Sequence, residues 1–340
     1  MIRITALTRN KIFWPLVALA VLMAFNLFFT PNFFRLEIKQ GHLYGNVIDI
    51  IKNAAPIMFL AIGLTLVIAT KGIDISVGSI VAISAGFVAM MIGGALDGIP
   101  KYPFALAIVC ALLVSVLAGM WNGMLVSRIG MQPIIATLIL LVAGRGIAMV
   151  TTNAQIIWLY ADPFALLGQG YFLGLPFSIY LVALLLLFTS FVTRKTALGL
   201  FIESVGINPT AARFAGINAK NIIFGVYTFC GLCAGIAGLV VCSTVMSADG
   251  NNAGKGYEMS AILAVVLGGT SLNGGKFYLL GSMVGALIVQ TLTTTIYAFG
   301  VPPEIAQVVI ALVVLVVSLL QSVNFRTMVS RLFGKREIFA

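Results

Sequence analysis

The fold class that the sequence predicts is an all-α polytopic membrane protein with about ten transmembrane helices. Two of its segments are short or broken, and one loop carries a short cytoplasmic helix. Three observations lead there. The 340 residues are 61% hydrophobic and only 9% charged, with a mean hydropathy of +1.11, whereas soluble domains carry roughly 25% charged residues. The apolar residues gather into long runs rather than a 2- or 3.6-residue alternation with polar ones. Lys and Arg crowd onto alternate loops. Such a composition excludes a soluble enzyme and a disordered chain. The net charge of +10 forms no basic patch on a soluble body, so nucleic-acid binding is excluded too. The chain reads as one transmembrane domain, residues 1–340.

Taken in order, the apolar runs are Ile12–Phe29, Ala54–Thr70, Val77–Gly94, Phe104–Val126, Pro133–Val150, Tyr171–Val192, Ile222–Val245, Met259–Gly269, Leu279–Phe299 and Ile305–Leu320. The first follows Arg3, Arg9 and Lys11 like a signal peptide. Its apolar stretch is too long for one and reads as an uncleaved span. One side of the membrane then receives Arg3, Arg9, Lys11, Lys71, Arg128, Arg194, Lys195, Arg213, Lys220, Lys276 and the C-terminal Arg326, Arg331, Lys335 and Arg336. The other receives only Arg35, Lys39, Lys52, Lys101 and Lys255. The positive-inside rule puts the first set, and both termini, in the cytoplasm.

Two runs are too short to span alone. Ala54–Thr70 carries Pro56 near its start and ends in the turn Lys71-Gly-Ile-Asp-Ile-Ser-Val-Gly78. Met259–Gly269 ends in Gly268-Gly-Thr-Ser-Leu-Asn-Gly-Gly275. Paired short segments point to broken helices lining a pathway; tilted helices with ordinary cytoplasmic loops are the alternative. The glycines at 231, 235 and 285 suit close helix packing. Cys110, Cys230, Cys233 and Cys242 lie in apolar runs and read as small apolar fillers.

Absences narrow the chemistry. The sole histidine, His42, lies in the first outward loop, so no Ser–His or metal site can be built within the spans. No Asp or Glu lies in the middle third of any run, where an ion-coupled carrier keeps one. The run Gly269-Thr-Ser-Leu-Asn-Gly-Gly-Lys276 misses the phosphate-loop spacing by one residue, and Phe277 stands where the metal-binding hydroxyl belongs. No catalytic, metal or cofactor site is expected, and energy for any work must come from a partner.

Three features remain. The loop 193–220 holds Asn208 as an N-cap, Pro209 at the first helical position and Gly216 as a C-terminal stop, framing a two-turn helix. So short a helix needs something to pack on, either the membrane surface or a cytoplasmic partner. Arg145, within Gly144-Arg-Gly146, lies about 18 Å along a helix that starts at Pro133 on the inside. It is a functional candidate or a structural partner of Asp162 or loop carbonyls. The outward stretch Asp249-Gly-Asn-Asn-Ala-Gly254 is a turn cluster, or a lip with polar groups for a ligand.

The stretch Ala69-Thr-Lys-Gly-Ile-Asp-Ile-Ser-Val-Gly-Ser79 resembles the Gly-Gly-Ile-Asp-Leu-Ser-Val-Gly signature of the permeases of ribose/xylose/arabinose-type ABC sugar importers, with Lys71 in place of the first Gly. Trp121-Asn-Gly123, Gln132-Pro-x-Ile-Ala-Thr137, Ala143-Gly-Arg-Gly146, Thr193-Arg-Lys-Thr-Ala-Leu-Gly199, Glu203-Ser-Val-Gly-Ile-Asn208 and Ala264-Val-Val-Leu-Gly-Gly269 extend the resemblance over nearly the whole chain. Leu66-Val-Ile-Ala-Thr70, Asp249–Gly254 and Pro302-Pro-Glu304 are similar to the galactofuranose branch. The resemblance implies an inner-membrane permease working by alternating access. Its partners would be a cytoplasmic ATP-binding subunit that binds the ATP, a second permease, and a periplasmic sugar-binding protein. Asp74, Ser76, Asn122, Arg145, Asp249, Asn251 and Asn252 are then the expected substrate pathway. Glu203, Asn208, Pro209, Ala211, Ala212, Arg213 and Gly216 are the expected coupling contacts with the ATPase. An ion-coupled secondary sugar carrier is the competing reading.

Overall fold

A computed structural model describes residues 12–30, 33–39, 41–93, 102–160 and 162–300, with isolated positions between 302 and 315. The expected last span, both termini, the Asp97 loop and the Asp162 side chain lie outside the described residues.

Twelve helices are described: α1 (Phe13–Phe29), α2 (Asn46–Ala69), α3 (Val77–Ile92), α4 (Phe104–Met124, continued by a π-turn over Leu125–Ile129), α5 (Pro133–Thr151), α6 (Asp162–Ala165), α7 (Phe177–Lys195), α8 (Ala197–Ile207), α9 (Pro209–Phe214), α10 (Ala219–Val245), α11 (Tyr257–Leu267) and α12 (Leu279–Ala298). Six of them, α2, α4, α5, α7, α10 and α12, are long and apolar enough to cross a membrane. The protein is thus a helical polytopic membrane protein. At 17, 16 and 11 residues, α1, α3 and α11 fall short of the usual spanning length.

Two expected boundaries are corrected. The segment read as Ala54–Thr70 is not short: α2 has 24 residues and begins at Asn46. Asn46, Asp49, Lys52 and Asn53 hide its first two turns from an apolar count, yet Ile48 and Ile50 at the same level are buried. Pro56 lies inside the helix rather than at its start, where it removes one backbone donor without ending the helix. The sixth run begins later than expected, because Tyr171–Phe172 and Leu175–Pro176 form a two-residue ribbon before α7. The protein is therefore not purely helical. Further antiparallel ribbons join Glu37–Lys39 to His42–Tyr44 and Ile156–Trp158 to Ser247–Asp249. All three lie in loops expected to face outward.

The core is built around α2. Of its most apolar stretch 83% is buried, against 22%, 28% and 22% for α4, α5 and α7. Those three helices leave Leu113, Val142 and Leu187 among their exposed apolar side chains, as suits a surface in contact with lipid or another membrane subunit. Small residues set the closest crossings. A Cβ on Gly231 of α10 would meet the Cα of Gly119 of α4 at 2.7 Å, so these backbones touch as glycine-mediated membrane crossings do. Cys230 and Cys233 sit buried where α10 crosses α2 at Gly63. Thr65 and Ser282 share a 2.7 Å hydrogen bond between α2 and α12, satisfying two hydroxyls that lipid could not.

Candidate functional site

The turn between α2 and α3 contains a fully buried polar cluster. Asp74, Ser76 and Asn122 are each 0% exposed. Ser76 donates to Asp74 Oδ1 twice, from its backbone N–H at 2.9 Å and from its Oγ at 2.6 Å. Asn122 Nδ2, on α4, donates to Ser76 Oγ at 2.8 Å and approaches Asp74 Oδ1 at 3.5 Å. Asp74 acts as the Asx-type brace that opens α3. Thr137 Oγ1 of α5 accepts from the Ile75 N–H at 3.4 Å, and Tyr227 Oη of α10 donates to the Ile73 carbonyl at 3.5 Å. Three helices thereby converge on the irregular chain between α2 and α3. The sequence-expected trio Asp74, Ser76 and Asn122 is brought together, but as an internal brace, with no side chain at the protein surface.

The short helices α3 and α11 begin next to each other. A Cβ on Gly78 would meet the Gly254 carbonyl at 2.7 Å and would also run into the carboxylate of Glu258, in the first turn of α11. Oε2 of Glu258 is buried and has no hydrogen-bond partner among the described atoms. The chain before α11, residues 250–256, is not helical, and Gly250 packs against Ala148 and Thr152 at the end of α5. Such irregular backbone is tolerated where protein packs on one side of it and water reaches the other. The break in this segment thus falls before α11, rather than only in the polar turn after it.

Arg145 projects from α5 into this region. Its Nη1 donates to the Ala253 carbonyl at 2.6 Å, and its charge lies close enough to Glu258 and Asp249 to interact with both. Of the two partners considered for Arg145, it reaches a loop carbonyl; the Asp162 side chain lies outside the described residues. Asp249 is engaged by its own turn. Its Oδ1 accepts from the N–H groups of Asn251 and Asn252 at 2.9 and 3.3 Å, and Oδ2 accepts from Asn252 Nδ2 at 2.7 Å. These bonds, the Asn252 amide first, hold its carboxyl below the usual carboxylate range. Asn251 and Asn252 are exposed. Asp249, Asn251, Asn252 and Arg145 thus form a second polar group, open to solvent.

The loop 193–220 folds into α8 and α9. Asn208 Oδ1 accepts from the N–H groups of Thr210 and Ala211 at 3.0 and 3.1 Å, the N-cap arrangement. Pro209 occupies the first helical position, and Gly216 adopts φ +83° beyond the C-terminus, a conformation that suits glycine. Ala211, Arg213 and Phe214 are exposed, Phe214 at 89%. Ala212 is only 4% exposed; it packs inward, so the outward face of α9 is carried by its neighbours. Glu203 lies 4.0 Å from Arg194, whose guanidinium lies over the Phe277 ring at 5.2 Å.

Two contributors are absent from the sequence-based candidates. Glu258 reads as one more acid of an outward loop, since an acid in a helix's first turn is common for its dipole alone. Tyr227 carries no such signal: within the run Ile222–Val245 it is one aromatic among many.

Comparison with known proteins agrees with this architecture. A family model described as branched-chain amino acid transport system / permease component matches residues 46–318. The galactofuranose transporter permease protein YtfT of Escherichia coli (strain K12) is 44% identical over 330 residues, covering 96% of this chain and 95% of that protein. The fructose import permease protein FruF of Bifidobacterium longum (strain NCC 2705) is 38% identical, covering 98% and 94%. The ribose import permease protein RbsC of Escherichia coli (strain K12) is 35% identical, covering 90% and 92%. No solved structure matches the chain. With a family match across most of its length, and with buried central helices, irregular segments between helices and a capped short helix to go with it, the chain belongs to the branched-chain amino acid transport system / permease component family of transport permeases.

Proposed function

We propose that this chain is the permease subunit of an ATP-binding-cassette sugar importer, moving a monosaccharide across the bacterial inner membrane by alternating access. Galactofuranose is the best choice of sugar, and the 44% identity to a galactofuranose permease over 96% of the chain is the observation that carries it. ATP is bound and hydrolysed on a cytoplasmic partner, so the chain itself has no catalytic residue, metal or cofactor. A periplasmic binding protein delivers the sugar. A second permease, a different chain or a second copy of this one, covers part of the exposed apolar surface of α4, α5 and α7.

In this reading α9 is the coupling helix, with Asn208, Pro209 and Gly216 defining its ends and Ala211, Arg213 and Phe214 meeting the ATPase. Arg145 and the Asp249–Asn252 turn stand at the sugar's entrance. The Asp74–Ser76–Asn122 cluster holds the start of α3, so it shapes the pathway without touching sugar in this conformation. About ten crossings with both termini in the cytoplasm complete the topology; reporter fusions at Ala340 and after Asp97 are expected on opposite sides.

The test is reconstitution in liposomes of this chain with its ATPase, second permease and binding protein. Labelled galactofuranose should accumulate only when ATP is supplied on the ATPase side. Accumulation by this chain alone under a proton or sodium gradient would establish the secondary-carrier reading instead.

A further inference from the structure

Three distant segments meet at one backbone carbonyl beneath α9. The Ala69 carbonyl, at the end of α2, accepts from the Gly275 N–H at 2.8 Å. Gly206, near the end of α8, presses against the same place: a Cβ there would overlap the Ala69 carbonyl oxygen and lie 2.6 Å from Gly275 N. A Cβ on Gly274 would lie 3.1 Å from both the Ala69 and Gly206 carbonyl oxygens. The three segments are therefore in direct backbone contact, the one side chain lying against Gly274 is that of Lys71, and no further side chain can enter without driving them apart.

Lys71 closes the arrangement. Its backbone has φ +63°, a left-handed conformation that glycine adopts without cost and lysine does not. From there its Nζ donates to the Ile207 carbonyl at 3.0 Å. Ile207 is the last residue of α8 and directly precedes Asn208, the cap of α9. An ammonium at a helix C-terminus is also favoured by the helix dipole.

We propose that this junction of Ala69, Gly206 and Gly274–Gly275, latched by Lys71, is the relay through which movement of α9 reaches α2 and α12. Lys71 and Gly206 are positioning residues in it. Displacing α9 pulls on Asn208, hence on Ile207 and Gly206, and through their contacts on the ends of two core helices at once. The α2 end leads within five residues to Asp74 and the start of α3. The inference rests on α9 being the ATPase-facing element.

The test uses the complete reconstituted importer and reads two quantities: ATPase co-purifying with the permease in detergent, and sugar imported per ATP hydrolysed. Lys71→Gly removes the latch while relieving the backbone, so a merely structural lysine would leave the protein as stable as before or more so, with unchanged coupling. We expect full ATPase retention and unchanged or raised thermal stability, with sugar imported per ATP falling about three- to tenfold, the worth of one hydrogen bond. Lys71→Arg should restore the ratio. Gly206→Ala should act in the same direction and more strongly; if it fails to accumulate, the lysine pair still decides. A wild-type ratio in Lys71→Gly overturns the relay. The α9 reading fails separately, if Ala211→Trp with Phe214→Ala leaves ATPase co-purification and stimulated hydrolysis intact.

Discussion

Replacing Asp74 by alanine should destabilise the permease before it does anything else. Two short hydrogen bonds end on Asp74 Oδ1, from the Ser76 N–H at 2.9 Å and the Ser76 hydroxyl at 2.6 Å, at a site with no solvent exposure. No water can take over either donor without opening the packing. Each buried polar group left without a partner costs about 1–3 kcal/mol, so Asp74→Ala should cost about 2–6 kcal/mol, a large part of the ~5–15 kcal/mol that holds a typical domain folded. Asp74→Asn keeps an acceptor oxygen in the same place, so neither donor is orphaned and the cost should stay within about 1–2 kcal/mol. The assay is thermal unfolding of the purified permease in detergent, alongside uptake by the reconstituted importer. Asp74→Ala should lose both melting temperature and uptake, whereas Asp74→Asn should largely keep the first. An alanine variant that melts like the parent would refute the view that this carboxylate braces the start of α3.

Arg145→Met should leave expression and melting temperature close to the parent while lowering uptake severalfold, because it removes one donor to the Ala253 carbonyl in a half-exposed place; loss of membrane insertion would show a structural role instead. Gly231→Leu should abolish accumulation of folded protein, since even a Cβ at that position lies 2.7 Å from the Gly119 Cα; detergent size-exclusion profiles check this. The carboxyl of Asp249 is held below its ordinary value, so whatever it contributes to the folded turn is complete above the unfolded pKa and lost only as pH falls through the lower, folded one. Uptake between about pH 5 and 8 should therefore have the same pH profile in the parent and in Asp249→Asn; a profile that differs in this range would contradict the assignment.

Much of the fold is legible in the sequence because lipid imposes a simple demand, an apolar run long enough to satisfy its own backbone. The runs that became α4, α5, α10 and α12 show this. Where protein rather than lipid surrounds a helix the demand lapses, and the start of α2 was missed for that reason: Asp49, Lys52 and Asn53 are permitted in its first turns because one face alone is enclosed. The cap residues of α9 were legible since capping is local chemistry. Which way Ala212 points was not, because that depends on how α9 lies against α8 and α10. The trio of Asp74, Ser76 and Asn122 was found by motif, but its enclosure depends on contacts made 46 and 48 residues apart along the chain. Glu258 escaped notice because nothing local distinguishes an acid beside a solvent-facing loop from one wedged against Gly78.

Helix α11, with 11 residues, has a further consequence for how the protein is made. At about 1.5 Å per residue a segment that short cannot cross the hydrocarbon core by itself. Helices α10 and α12, of 27 and 20 residues, are long enough to do so. The main packing partners of α11 are α2, made earlier, and α12, made after it, so its burial is complete only once α12 joins them. Until α12 has left the ribosome, the partly made chain lacks one of the two helices that bury this piece.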